Sequence, residues 1–203
     1  MKLRVLAHAA ALVLAVFIAY GGPAHAEDIT SGDVILKSGY ELGIQTGYGT
    51  GMRNYGGVGR VDNVVFMPSI SVPLLRREIG PSVLKGVLQY QFEPVIGLMT
   101  SPSAKFDIGA SLIGFKYNFT GLGSRISPHA DFGFGVIYEP VDRRVQGTSF
   151  NFLLQTGLGV QYFVNDKTAV NVSYRYRHIS NAGIKQPNSG INSNFVLVGM
   201  SFF

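Results

Sequence analysis

The sequence predicts an eight-stranded antiparallel transmembrane β-barrel in a single domain. From about Tyr40 to the C-terminus, apolar side chains alternate with small or polar ones at a period of two, the period of a β-strand. The apolar face is rich in Phe and Tyr, whereas the other face carries Gly, Gln, Asn and Ser instead of the charged residues of a soluble surface. After the N-terminus no run of about 18 apolar residues occurs, so we do not expect a helical membrane span.

The composition agrees with one membrane-associated domain. Of 203 residues, 46% are hydrophobic and only 14% are charged. The lack of Cys excludes a disulfide framework and Cys-ligated metals. No basic run is interleaved with aromatics, so nucleic acid is not an expected partner. No cofactor or metal is expected either, because the sequence has no Gly-rich phosphate loop and no acidic cluster with metal-ligand spacing.

Residues 1–26 are predicted to be a cleaved signal peptide. Lys2 and Arg4 form a positive start, an apolar segment runs from Leu6 to Tyr20, and Ala24-His25-Ala26 is a small-x-small cleavage site. The alternative, an uncleaved membrane anchor, is disfavoured because the apolar run is short. Cleavage removes two of the 17 Lys and Arg residues and none of the 12 Asp and Glu residues, which leaves a net charge of +3. Residues 27–203 then form the barrel domain, with the polar stretch 27–39 as a short plug or a disordered lead.

Eight segments of about ten residues carry the strand alternation. They are 40–49, 64–74, 88–98, 112–119, 131–138, 150–162, 168–180 and 194–203. An aromatic-rich outer face and a short-chained polar inner face suit a barrel with lipid outside and a filled polar lumen. A soluble periplasmic lipocalin-like barrel is the alternative. Aromatic side chains near the strand ends are candidates for interfacial girdles, namely Tyr40, Tyr48, Tyr117, Phe119, Tyr138, Phe150, Tyr162 and Phe163.

The connections predict which end of the barrel faces outward. If the first strand starts at the periplasm, the outer connections are 49–63, 100–109, 139–149 and 181–193. The connections 120–125 and 164–167 then lie inside, and both are short. Long outer loops and short inner turns are the pattern of bacterial barrels. The inner connection 74–86 is longer than this pattern predicts.

One pair of polar residues interrupts the apolar face of segment 168–180. His178 and Ser180 lie on the lipid-facing side at its extracellular end, where polar groups are costly unless they reach the headgroup level or have a function. Two residues on one strand face are about 6.5–7 Å apart at Cα, so the imidazole can reach the serine oxygen. Such a pair can carry out nucleophilic acyl transfer, with His178 removing the Ser180 proton. A structural role at headgroup height is the alternative.

The remaining parts of such a site come from the following hairpin. Pairing of the last two strands can bring Asn192 opposite His178, where its side-chain oxygen would accept the second imidazole N–H. Candidate oxyanion donors are the side chains of Asn181 and Asn188 and the backbone N–H groups of Ala182 and Gly183.

The run His178-x-Ser180-Asn181-Ala182-Gly183, followed by Lys185-Gln186-Pro187-Asn188-x-Gly190-Ile191, closely resembles the PagL lipid A 3-O-deacylases of Gram-negative outer membranes. The resemblance implies an outer-membrane esterase that removes the 3-O-linked acyl chain of lipid A at a site on the lipid-facing wall. It implies that His178 is the general base, Ser180 the nucleophile, and Asn188 with the Gly183 backbone the oxyanion hole. The expected partners are lipopolysaccharide and outer-membrane lipid, and a homodimer is left open.

The sequence departs from this family at one position. The best-known members carry Glu where this chain has Asn192, and an amide stabilises imidazolium less than a carboxylate does. The chain also resembles the outer-membrane phospholipase A enzymes, which use Asn in this role but are larger barrels. Two alternatives therefore stay open: a phospholipase-like esterase and a catalytically silent structural barrel.

Several further polar residues have weaker assignments. Lys185, Arg143 and Arg144 are candidates for contacts with substrate phosphates, or are solvated loop charges. Inside the barrel, we expect structural networks of His129 with Asp131, and of Glu93 with Arg175 or Arg177. Pairing Asn192 with His178 also turns the terminal Phe203 inward, unless a bulge shifts the register.

Overall fold

The computed structural model describes residues 30–55, 58–122 and 125–203. The predicted signal peptide, residues 1–26, lies outside this part of the chain. The described residues form one short helix, a one-turn 3₁₀ helix and ten strands. These are α1 (Ser31–Ser38), β1 (Glu41–Gly51), β2 (Asn54–Tyr55), β3 (Gly59–Arg60), β4 (Asp62–Pro73), the 3₁₀ helix (Ser82–Leu84), β5 (Gly86–Ser101), β6 (Lys105–Phe119), β7 (Ile126–Tyr138), β8 (Phe150–Asn165), β9 (Thr168–Ser180) and β10 (Ile191–Phe202).

Eight strands close into a barrel in the order β1-β10-β9-β8-β7-β6-β5-β4. Every neighbouring pair is antiparallel, including the closing pair β1–β10. The strands β2 and β3 form a separate two-stranded ribbon within the first outer connection. The predicted eight-stranded antiparallel barrel is thus confirmed. Neither helix among the described residues is long and apolar enough to cross a membrane.

The two faces of the strands follow the predicted alternation. Outward side chains such as Leu42, Ile44, Val172 and Val196 are exposed, as expected for a wall that contacts lipid. Inward polar side chains such as Gln89 are fully buried. Burial of polar groups on this scale favours internal hydrogen bonds, such as the one that Asn118 Nδ2 donates to the Gln89 side-chain oxygen at 2.6 Å.

Ionic networks occupy the lumen. Glu41 accepts hydrogen bonds from Lys116 at 2.6 Å and from Gln161 at 2.7 Å. Arg175 pairs with Glu93 and, at 3.0 Å, with Asp131. His129 Nε2 lies 3.8 Å from an Asp131 oxygen. Arg177 instead stacks on the Phe195 ring, with its guanidinium carbon 4.4 Å from the centroid.

The helix α1 closes the end of the lumen that carries the connections 120–125 and 164–167. Thr30 caps it and Gly39, at φ +73°, ends it in the left-handed conformation. Ile35 is fully buried in a cluster with Val34, Val87, Phe163 and Ala169. Phe203 packs on Phe163 with ring centroids 5.1 Å apart, so the terminal aromatic turns inward as the register requires. Phe163 was predicted in a girdle; this was wrong, because its odd position on β8 faces the lumen.

Three segments differ from the predicted boundaries. Strand β6 begins at Lys105 instead of 112, so the predicted outer connection 100–109 shrinks to a turn at residues 102–104. A register shift between Ser111 and Ile113 interrupts the alternation, and Leu112 therefore faces lipid, not the lumen. Strand β7 begins at Ile126, five residues before the predicted start.

The long inner connection 74–86 is ordered. It contains the 3₁₀ helix and an antiparallel bridge between Ile79 and Gly86. The Tyr117 hydroxyl donates to the carbonyls of Ile79 at 3.0 Å and Leu84 at 2.7 Å. The additional residues of the connection 74–86 therefore form a folded turn against the rim of the barrel.

Candidate active site

His178 and Ser180 lie on the outer wall at the C-terminal end of β9, the end of the barrel that carries the long connections. Their side chains alternate with the buried Arg177 and Ile179, so both face away from the lumen. On the neighbouring strand β8, His178 lies opposite Leu154 and Ser180 opposite Phe152. The pair is therefore bordered by an apolar wall on one side, which leaves the imidazole poorly hydrated from that direction.

Asn192 borders the same pair on the other side. The β9–β10 register places it opposite His178, and its Oδ1 lies 2.5 Å from His178 Nδ1. The Tyr176 hydroxyl donates to the same oxygen at 2.9 Å. Because an amide oxygen can only accept, Nδ1 carries the proton in this arrangement. The second ring nitrogen, Nε2, is then the basic one and is available to Ser180.

The serine itself is not locked in place. Within the described parts of the chain, the Ser180 hydroxyl makes no hydrogen bond to another side chain. Without substrate, nucleophile and base in such pairs are often loosely placed and come together in the reacting complex. The spacing on one strand face leaves this movement to side-chain rotation alone.

Asn181 shapes the loop that follows Ser180. Its side-chain nitrogen donates to the Lys185 carbonyl at 2.7 Å and its side-chain oxygen accepts the Gly183 N–H at 3.0 Å. The residue is only 1% exposed. Our expectation that its amide could face an oxyanion therefore does not fit its position, because both ends of the amide are used within the loop. Its contacts hold Ala182 at φ 52° and Gly183 at φ 82°.

Asn188 is held differently. Its Oδ1 accepts the Asn181 backbone N–H at 3.1 Å, and the side-chain amide of Gln146 lies 2.9 Å from the same oxygen. Its side-chain nitrogen donates to no other described residue, so this donor remains available. The Gly183 N–H is already engaged with Asn181, whereas the Ala182 N–H has no partner among the described residues.

The loops 139–149 and 181–190 pack against each other. Gly147 N–H donates to the Pro187 carbonyl at 2.7 Å, and Ser189 N–H donates to the Val145 carbonyl at 3.1 Å. Gln146 and Asn188 form an isolated bridge between the two loops. The loop 139–149 therefore supports Asn188 of the loop 181–190, whose side chain contacts the backbone of Asn181, next to Ser180.

A cavity of about 540 Å³ opens between these loops. It is lined by Arg143, Gly147, Thr148, Ser149, Phe150, Lys185 and Gln186. Two of the three predicted phosphate contacts, Arg143 and Lys185, thus share one cavity. Arg144 lies elsewhere and forms an ion pair with Asp142 at 2.7 Å. Hydrogen bonds from Arg144 hold the pKa of the Asp142 carboxyl well below its usual range.

Sequence reasoning missed three residues that support the site. Tyr176 lies on the face of His178 two residues earlier, so strand parity alone could have identified it. Gln146 contacts Asn188 from the loop 139–149, and the Tyr55 hydroxyl donates to the Gly190 carbonyl from the connection 52–61; no local pattern indicates either contact. In the described residues no group of three or more acidic, His or Cys side chains is arranged to hold a metal ion.

Two solved structures show the same architecture. The crystal structure of the outer membrane enzyme PagL aligns with a TM-score of 0.54 and 23% identity, covering 78% of this chain and 97% of that chain. The crystal structure of Neisserial surface protein A aligns with a TM-score of 0.56 and 17% identity, covering 81% of this chain and 96% of that chain. The comparison with curated proteins gives no significant match.

The closed barrel, its apolar wall and these relatives define an outer-membrane β-barrel protein. Within that class, residues 107–201 match the family model of the lipid A 3-O-deacylases, PagL. The match confirms the family resemblance that the residues from His178 to Ile191 predict, and it extends that resemblance over strands β6 to β10.

Proposed function

We propose that this chain is an outer-membrane esterase that removes the 3-O-linked acyl chain of lipid A by Ser/His nucleophilic hydrolysis. The observation that carries the proposal is the contact between His178 Nδ1 and Asn192 Oδ1 on the lipid-facing wall. His178 lies two residues before Ser180 on the same strand face. A structural residue at headgroup height does not require a fixed imidazole tautomer. The family match over residues 107–201 supports the same substrate and the same bond.

The reaction would proceed through an acyl-enzyme. His178 Nε2 takes the Ser180 proton as the Ser180 oxygen attacks the ester carbonyl, and a tetrahedral oxyanion forms. When the C–O bond to the sugar breaks, the imidazolium gives this proton to the leaving 3-hydroxyl. His178 then activates a water molecule that releases the fatty acid and restores Ser180. Throughout, Asn192 holds the imidazole through Nδ1.

The oxyanion needs donors on the loop side of Ser180. The Asn188 side-chain nitrogen and the Ala182 N–H are suited to this task because no described residue uses them. The Gly183 N–H can take part only if it leaves the Asn181 oxygen, which it contacts at 3.0 Å. Donors fixed before the reaction stabilise developing charge without reorganising at the moment of reaction.

The environment of the site suits a lipid with an anionic headgroup. The acyl chain would lie along the apolar wall beside Phe152 and Leu154, and the phosphates would meet Arg143 and Lys185 in the cavity above. This arrangement requires the extracellular loops to face the outer leaflet, which the long outer and short inner connections favour. The substrate then reaches Ser180 without leaving the membrane.

Phospholipid is the competing substrate, because Asn192 matches the residue that outer-membrane phospholipase A enzymes use. The purified barrel in mixed micelles should be given lipid A and a diacyl phospholipid together, and the products weighed by mass spectrometry. We expect loss of one hydroxyacyl chain from lipid A and intact phospholipid. Release of fatty acid from phospholipid alone would contradict the proposed substrate.

A further inference from the structure

The first outer connection contacts the chain on both sides of Ile191, through Tyr55 of the β2–β3 ribbon and through Met52, which directly follows β1. The Tyr55 hydroxyl donates to the Gly190 carbonyl, and Met52 N–H donates to the Asn192 carbonyl at 2.8 Å. Tyr55 is 8% exposed and packs in the apolar cluster that also contains Val61 and Ile191. The ribbon is therefore bound to the start of β10, although about 135 residues separate the two in sequence.

Gly190 and Asn192 both lie close to the imidazole of His178. Asn192 contacts it through Oδ1 at 2.5 Å. Gly190 lies near the adjacent ring carbon, since a Cβ at this position would be 3.1 Å from His178 Cε1. Gly190 also has φ +68°, a conformation that favours glycine. The His178 ring thus has the Asn192 side chain at Nδ1 and the Gly190 backbone near Cε1, and Tyr55 of the ribbon binds that backbone.

We propose that Tyr55 is a positioning residue for the general base. Its hydroxyl holds the Gly190 backbone against His178 and so maintains the contact between Nδ1 and Asn192. The inference rests on the proposed function for its catalytic consequence, but its geometric content stands apart from activity. Tyr55 touches neither Ser180 nor the Nε2 side of the imidazole, so it acts through Gly190 alone.

The Gly190 carbonyl is the group that loses its donor when the Tyr55 hydroxyl is removed. Gly190 is buried, and a buried carbonyl that loses its donor favours movements that reach water. A left-handed glycine at the end of a loop has the backbone freedom to make such a movement. The carbonyl would rotate outward and carry the Gly190 backbone away from the imidazole.

The test replaces only the hydroxyl, with Tyr55→Phe. Tyr90→Phe is the matched control, because the Tyr90 hydroxyl also donates to a backbone carbonyl, that of Leu112 at 2.6 Å, on the opposite wall of the barrel. We expect Tyr55→Phe to lower kcat on lipid A about tenfold, since small misplacements of a catalytic group are costly. KM should stay within about twofold because no substrate contact is lost. Tyr90→Phe should match the wild type, and heat-shifted gel mobility checks that each barrel is folded.

A second readout does not depend on activity. In ¹³C,¹⁵N-histidine-labelled barrels, NMR reports the tautomer of His178. We expect the Nδ1–H form in the wild type and in Tyr90→Phe, and shifted or broadened His178 signals in Tyr55→Phe. Unchanged His178 signals in Tyr55→Phe would overturn the positioning role, as would an unchanged kcat in an active protein. If the wild type releases no acyl chain while its His178 signals respond to Tyr55→Phe, the proposed function fails and the positioning role stands.

Discussion

At the scale of single residues, the proposed chemistry depends on the Asn192 side-chain oxygen. It accepts from both His178 Nδ1 and the Tyr176 hydroxyl, so it orients the ring as a carboxylate would. It lacks the negative charge that stabilises the imidazolium formed during the reaction. Asn192 therefore orients the His178 ring as a carboxylate would, but it stabilises the imidazolium form of His178 less than a carboxylate would.

The substitution Asn192→Glu tests this difference. A carboxylate at this position can accept the same two hydrogen bonds and adds a charge beside the imidazolium, so we expect kcat to rise or stay unchanged. Asn194→Glu is the control, because Asn194 lies two residues along the same face and accepts from Tyr174 at 2.6 Å instead. Measured rates on lipid A in micelles decide the result. A loss of activity confined to Asn192→Glu would contradict the assigned role.

A second substitution, Asn188→Asp, tests the oxyanion donor. Aspartate keeps the oxygen that accepts the Asn181 N–H but removes the side-chain N–H₂ group. We expect kcat to fall by about 10²–10³-fold, the usual effect of losing one oxyanion donor. Asn165→Asp is the control, since Asn165 uses only its oxygen, toward the Lys167 N–H at 2.9 Å. Equal rates for wild type and Asn188→Asp would exclude this donor.

Much of the site at this scale follows from strand parity. Parity puts His178 and Ser180 on the outer face, and the hairpin register puts Asn192 opposite His178, as the structure has them. The role expected for Asn181 could not be judged from sequence, because it depends on whether the amide turns inward to the Lys185 carbonyl. Gln146 and Tyr55 reach the site through tertiary contacts that no periodicity encodes.

At the scale of elements, the strand faces could be predicted but their ends could not. A register shift beside Leu112 breaks the period of two, so the alternation does not continue into the first part of β6. The prediction therefore placed the start of β6 seven residues too late. The positions of the outer loops could be predicted from the lengths of the connections, but the packing of these loops against each other could not. The pairing of loops 139–149 and 181–190 gives them a joint cavity and supports Asn188.

The double substitution Arg143→Ala with Lys185→Ala tests that cavity as a phosphate-binding site. Removing both cations should raise KM for lipid A about tenfold and change kcat little, because charge-assisted bonds to the headgroup would be lost while the Ser/His pair is untouched. Arg144→Ala is the control, since Arg144 pairs with Asp142 outside the cavity. An unchanged KM in the double variant would show that the phosphates bind elsewhere.

At the scale of the whole molecule, the barrel is a filled scaffold that carries the proposed site on its outer wall. Buried pairs such as Glu41–Lys116 and Glu93–Arg175 occupy the lumen, and α1 closes one end of it. Buried charges of this kind are tolerated because each has a partner, which offsets part of the cost of removing it from water. The sequence predicts this arrangement because lumenal and lipid-facing residues alternate. A short plug was one of two alternatives for residues 27–39, and its helical form was not predicted.

The central claim is that Ser180 on the outer wall deacylates lipid A in the membrane. The most direct measurement is the mass spectrum of lipid A from a Gram-negative host that expresses the wild type, Ser180→Ala or Ser189→Ala, with Ser189 as an exposed serine of the same loop. We predict loss of one hydroxyacyl chain with wild type and Ser189→Ala, and intact lipid A with Ser180→Ala. Intact lipid A with folded wild-type protein, or equal deacylation by Ser180→Ala, would contradict the account.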